Sequence, residues 1–223
     1  EVAEQRSATD KIRAQIKVRL TEVSEKSPYQ ALAKAIENAT VGVGQLDEKR
    51  QEITNQSISA QVSSAYFADT IARLVRVVVE MTNHVEEARA LAALTGYISF
   101  MEAKERAGRE RAAGASGFAA GKFDQTQHRA FVSVVAAQSA YIEGFLNSAP
   151  QVHRDFLART VVGQSVDEVA RMRKIGLEAG PNNEITGIEG PYWFQMTTER
   201  INLRKKVEDF IAGQLTELAA ANI

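Results

Sequence analysis

The stretch LTGYISFMEAKERAGRERAAGASGF, residues 94–118, carries an apolar stripe into a run of charge and out again. Leu94, Tyr97, Ile98 and Met101 recur at spacings of three and four, which places them on one face of an α-helix. Lys104–Arg111 then sets four basic and two acidic side chains within eight residues. Continued at helical spacing, the same face runs through Lys104, Glu105, Gly108, Arg111, Ala112, Ala115 and Phe118. The stripe therefore passes through the charges. On this phasing Lys104, Glu105 and Arg111 point to a protein interior, while Arg106, Arg109 and Glu110 fall to the flanks or the outer face and are solvated.

A second helix shows the same pattern. Trp193, Met196, Thr197, Arg200, Leu203, Val207, Phe210 and Ile211 form one stripe with Arg200 in its middle. An arginine on an apolar face is rarely fully buried without an anionic partner. Glu105, Glu199 and Glu208 are the carboxylates available by spacing. Two arrangements fit: an internal salt-bridge network that fixes helix register, or a pocket in which planar guanidinium forks hold a small oxyanion. Trp193 follows Pro191 and opens its stripe, which suits a core anchor.

Outward from these two stretches the chain reads as all-α. Alanine, leucine, glutamate, lysine and arginine dominate between four prolines, and no strand alternation bounded by turns appears. The spacing predicts helices over about 2–25, 29–52, 60–83, 85–118, 125–148, 151–160, 165–179 and 191–220. Ser27-Pro28 is the expected cap of the second, and 60–118 reads equally as one bent helix or as two. Residues 179–191, AGPNNEITGIEGP, form the clearest loop, a connection rather than a binding loop.

Composition narrows the function. The chain has 223 residues, 44% of them hydrophobic and 25% charged, which suffices for a buried core. The net charge of −1 is at odds with a nucleic-acid-binding surface. There are no cysteines, and His84, His128 and His153 lack ligand spacing, so neither disulfide nor metal is expected. Lys122 follows Gly121, but Ser116 and Phe123 stand where a phosphate loop needs glycine and a hydroxyl. Gly114, Gly117 and Gly121 are read as close-packing and helix-ending residues. No serine has a recognisable base partner. No catalysis and no cofactor are expected. No stretch is long and apolar enough to span a bilayer, which leaves a soluble protein or the soluble part of an anchored one.

The two charged stretches, with Lys104-Glu105, Gly108, Glu110-Arg111-Ala112 and Gly121 in one and Trp193-Phe194, Thr198, Arg200-Ile201 and Val207-Glu208-Asp209 in the other, resemble the nitrate- and nitrite-sensing domain of bacterial signalling proteins. Gln5-Arg6 and Asp10 extend the resemblance to the start of the chain. It implies one all-helical sensing domain over 1–223, an antiparallel bundle described as two associated four-helix bundles. It implies a small anion, nitrate or nitrite, gripped by arginines, and Arg111 and Arg200 fall on family-pattern positions. With Lys104 and Glu105 they make the candidate ligand-binding set. The family commonly begins with a further helix bearing a Glu-Arg-Gly stretch, and this chain starts after the place of that helix. The usual setting implied is the periplasmic domain of an inner-membrane receptor, above all a methyl-accepting chemotaxis protein. That setting would involve a homodimer and transmembrane segments outside this chain. Some relatives are cytoplasmic and control transcription antitermination. The alternatives by class are a ligand-free helical dimerisation domain, or the same fold sensing another small ligand.

Overall fold

The computed structural model describes residues 2–26 and 28–221, without the side chains of 24–26 and 221. Among the described residues there are nine α-helices and no strands. They divide into two compact units, Glu1–Val85 and Glu86–Ile223.

The first unit holds α1 (Val2–Lys26), α2 (Gln30–Gly44), α3 (Leu46–Thr54) and α4 (Ala60–Thr82). Its core is Leu32, Ala35, Ile36, Ala39 and Val77, with Leu20 and Leu74 packed against it. Arg13 on α1 holds Asp47 on α3 with two hydrogen bonds of 2.9 and 2.8 Å, and Arg50 reaches Asp10 at 2.6 Å. The expected Ser27-Pro28 cap falls partly outside the described residues, since Ser27 is not among them. The residue before α2 is Tyr29. The expected helix over 29–52 is two helices, interrupted at Gln45. Val41-Gly42-Val43-Gly44 precedes the break, and β-branched residues and glycine are poor helix formers. Ser59 caps α4, its hydroxyl accepting from the Val62 amide at 3.2 Å.

The second unit holds α5 (Ala88–Ala119), α6 (Gln125–Ser148), α7 (Gln151–Thr160), α8 (Gln164–Ala179) and α9 (Gly190–Ala221). The stretch 60–118 is thus two helices, parted over 83–87. α5 ends in a glycine cap: Gly121 has φ +67°, the Lys122 amide donates to Gly117 O and the Gly121 amide to Phe118 O. Asp124 then starts α6 with a capping box, accepting from the Gln127 amide at 2.8 Å while its own amide donates to the Gln127 side chain. α5 packs along both α6 and α9, while α7 lies against α9 near one end and α8 against α9 near the other.

These contacts make two apolar layers. Phe118, Phe123, Phe131, Val169, Met172, Trp193 and Met196 fill the α8 end. Phe100, Phe145, Val207 and Ile211 fill the α7 end, with Phe156 stacked on Phe210. The loop 180–189 lies over the first layer: Ile185 and Ile188 are buried, and its backbone amides at Asn182 and Ile185 donate to Phe123 O and Gly121 O at 2.6 and 2.7 Å.

Candidate functional site

Between the two apolar layers of the second unit lies a polar one. α5 supplies Glu110 midway between Phe100 and Phe118, and α6 supplies Gln138 between Phe131 and Phe145. α9 supplies Arg200 and Arg204 between Met196 and Val207, and α8 supplies Arg173 beside Met172. Glu110 is 0% exposed, Arg200 4% and Arg204 8%.

Glu110 is the hub. Arg173 donates to it twice, Nε to Oε1 and an Nη to Oε2, both at 2.7 Å. An Arg200 Nη donates to Oε2 at 2.8 Å, and Gln138 Nε2 donates at 2.6 Å. Arg173 also reaches the Gln138 side-chain oxygen at 3.0 Å. Burial alone would push the Glu110 carboxyl up. The Arg173 hydrogen bonds and the charges of Arg200 and Arg173 outweigh it and hold the group at about 2. Burial lowers the Arg200 guanidinium from its ordinary value in spite of Glu110. Arg204 is lowered as well, to about 9, from burial first and then from repulsion by Arg200. One carboxylate thus faces three guanidinium groups. The Nε atoms of Arg200 and Arg204 are both buried without a hydrogen-bond partner.

The four residues singled out from sequence do not come together. Arg200 is in the layer, as its stripe indicated, but its anion is Glu110, not Glu105, Glu199 or Glu208. Lys104 is instead paired with Glu208, and Glu105 with Arg109 at 2.9 Å. Arg111 is half-buried: it donates to Thr198 Oγ1 at 2.9 Å and its guanidinium stacks on Phe194 at 4.6 Å. Glu110, expected to be solvated, is fully buried, and Arg106 is largely covered, paired with Glu102 and stacked over Tyr141.

The cause is one of phase. The buried face of α5 runs Gly96, Phe100, Ala103, Ala107, Glu110, Gly114 and Gly117. That face is lined by small residues because α6 and α9 press close. A methyl at Gly96 would stand 2.8 Å from Ala149 Cβ, and one at Gly114 would overlap the Trp193 indole. The larger Tyr97, Ile98 and Met101 lie at its edge, half-buried. Trp193 is 0% exposed in the apolar layer and donates Nε1 to Arg111 O at 2.9 Å. Arg173, Arg204 and Gln138 were not found from sequence. Arg204 stands one turn after Arg200, and Arg173 four residues after the buried Val169, so both had a positional signal.

Among the described residues no group of three His, Asp or Glu side chains is placed to hold a metal ion. No described helix is long and apolar enough to cross a membrane.

The family described as nitrate and nitrite sensing, NIT, matches residues 1–216. The chain belongs to the NIT family. A relative, a nitrate regulatory protein of Klebsiella oxytoca, is 25% identical over 177 residues, covering 79% of this chain and 44% of that protein. A solved structure, that of the NasR transcription antiterminator, superposes with a TM-score of 0.85 at 23% identity, over 98% of this chain and 59% of that one, and attests the shared helical fold. The chain spans about half the length of these relatives. They correct the expected setting. A periplasmic domain of a membrane-bound chemotaxis receptor is overturned, because the proteins matched are named as a nitrate regulator and a transcription antiterminator.

Proposed function

We propose that this chain is the anion-sensing region of a transcription regulator that responds to nitrate or nitrite, with the polar layer of the second unit as the sensing site. The observation that carries this is the excess of positive charge in the layer: Arg200 and Arg204, both buried, and Arg173, partly buried, set against Glu110 alone. A cation removed from water without a counter-charge is costly, and a monovalent anion relieves that cost. The family match supplies the class of anion, and the names of the relatives supply the output, control of transcription, exerted through parts of the protein beyond this region.

A bracing role is the second reading, and it has its own support. Arg200 and Arg173 are both engaged by Glu110, as members of a structural network would be. It does not account for Arg204. Isothermal titration of the chain with nitrate and nitrite, beside chloride and sulfate, separates the two. Saturable uptake of nitrate or nitrite is expected, with a matching rise in melting temperature. No heat and no thermal shift with either anion leaves bracing alone.

A further inference from the structure

Glu110 has no capacity left. Two donors from Arg173, one from Arg200 and one from Gln138 occupy the roughly four acceptor directions of a carboxylate. Arg204 therefore lacks the anion its neighbour has. Its one hydrogen bond is from Nη1 to Ala103 O at 3.4 Å, beyond the usual range for a strong contact. Its Nε is buried and unpartnered, and so is the Nε of Arg200.

The surroundings are small side chains and one opening to solvent. Arg200 and Arg204 are one helical turn apart on the buried face of α9. The facing helix α5 runs antiparallel, with Glu110 opposite Arg200 and Ala103 opposite Arg204. Ala107 lies between them on α5, 0% exposed like Ala103. Two methyl groups thus face two long cations. Arg173 keeps 20% of its side chain exposed, so the layer reaches solvent at the α8 side. Arg111 is not a competitor for the role, because its donors meet Thr198 and its face meets Phe194.

We infer that Arg204 is an anion-gripping residue, and that a single small planar oxyanion binds across the Nε edges of Arg200 and Arg204 while Glu110 stays as the fixed partner of Arg173. This rests on the sensing role proposed above and names the residue that carries it. Each guanidinium edge offers two parallel N–H groups, which match two oxygens of one planar anion. Chloride has no such pair to offer. Sulfate brings a second charge and a tetrahedral shape that a planar fork matches less well.

Nitrate titration and melting curves on the wild-type chain and on Arg204→Lys, Arg204→Met and Arg111→Lys test it. Arg204→Lys keeps the charge and loses the fork, so nitrate binds at least about tenfold more weakly. Arg204→Met removes an uncompensated buried cation. It abolishes nitrate uptake and melts higher than the wild type in the absence of ligand. Arg111→Lys binds as the wild type does. Nitrate and nitrite affinities unchanged in folded Arg204→Lys and Arg204→Met overturn this inference and leave the sensing role standing, while a lower ligand-free melting temperature for Arg204→Met counts against it. A wild-type chain that takes up neither nitrate nor nitrite overturns both.

Discussion

Glu110 decides how the second unit answers to acid. Its carboxyl is held at about 2 against an ordinary 4.5, so the folded form binds the proton less readily than the unfolded chain. The stability it contributes is fully present above about pH 4.5 and is lost as the pH falls toward 2. A shift of this size corresponds to about 3 kcal/mol. Glu110→Gln is expected to lower stability by about that amount at pH 7, since it strands Arg173 and Arg200 without their anion. The gap between variant and wild type should close between pH 4.5 and 2, as urea unfolding at a series of pH values measures. A constant gap across that range would mean that Glu110 is not ionised in the folded protein. This residue was hidden in the sequence by its company. Within Lys104–Arg111 each charge looks like the next, and only the one-residue phase of the helix distinguishes the buried Glu110 from the half-buried Arg111. Arg200 was legible because it stands alone among apolar residues.

The packed face of α5 mixes large side chains, Phe100 and Phe118, with glycine and alanine. The large side chains of Tyr97, Ile98 and Met101 sit at the edge of the packed face, and Gly96, Ala103, Ala107, Gly114 and Gly117 sit within it. A stripe drawn through Tyr97, Ile98 and Met101 passes over Phe100 and is rotated from the buried face, so it points Lys104, Glu105 and Arg111 inward. The role of Gly114 and Gly117 as close-packing residues was legible, because glycines spaced three apart in a helix have few other uses. Two substitutions on this one helix are expected to act in opposite directions. Gly114→Ala drives a methyl into the Trp193 indole and should cost about 1–3 kcal/mol. Gly108→Ala meets nothing within 4 Å and should stabilise by up to about 1 kcal/mol, the helix-propensity gain alone. Equilibrium unfolding of both variants checks the sign of each.

At the scale of the whole molecule, helix content and nearly all helix ends were legible, since prolines and glycines mark them locally, while the break at Gln45 was not. The break between 60–83 and 85–118 was legible only as a bend or a boundary, because residues 60–118 are helix-forming throughout apart from a short polar joint. Tertiary partners were the other gap: no local pattern says that α8 delivers Arg173 to a carboxylate on α5. The loop 180–189 has a consequence for how the chain is cut. By composition it is the most cleavable segment, yet its backbone is bound at two points to residues 121–123, some sixty positions earlier. A protease must draw a stretch of chain into its cleft, and here that stretch is pinned at Asn182 and Ile185. The backbone bonds of the joint over 83–87 are local, from Asn83, His84 and Val85 back to α4 and from the Leu91 amide of α5 to Glu87 O. Brief digestion with a protease of broad specificity is expected to cut first near 83–87. It should release a C-terminal fragment that keeps its loop intact, and mass spectrometry of the early products reads the order directly.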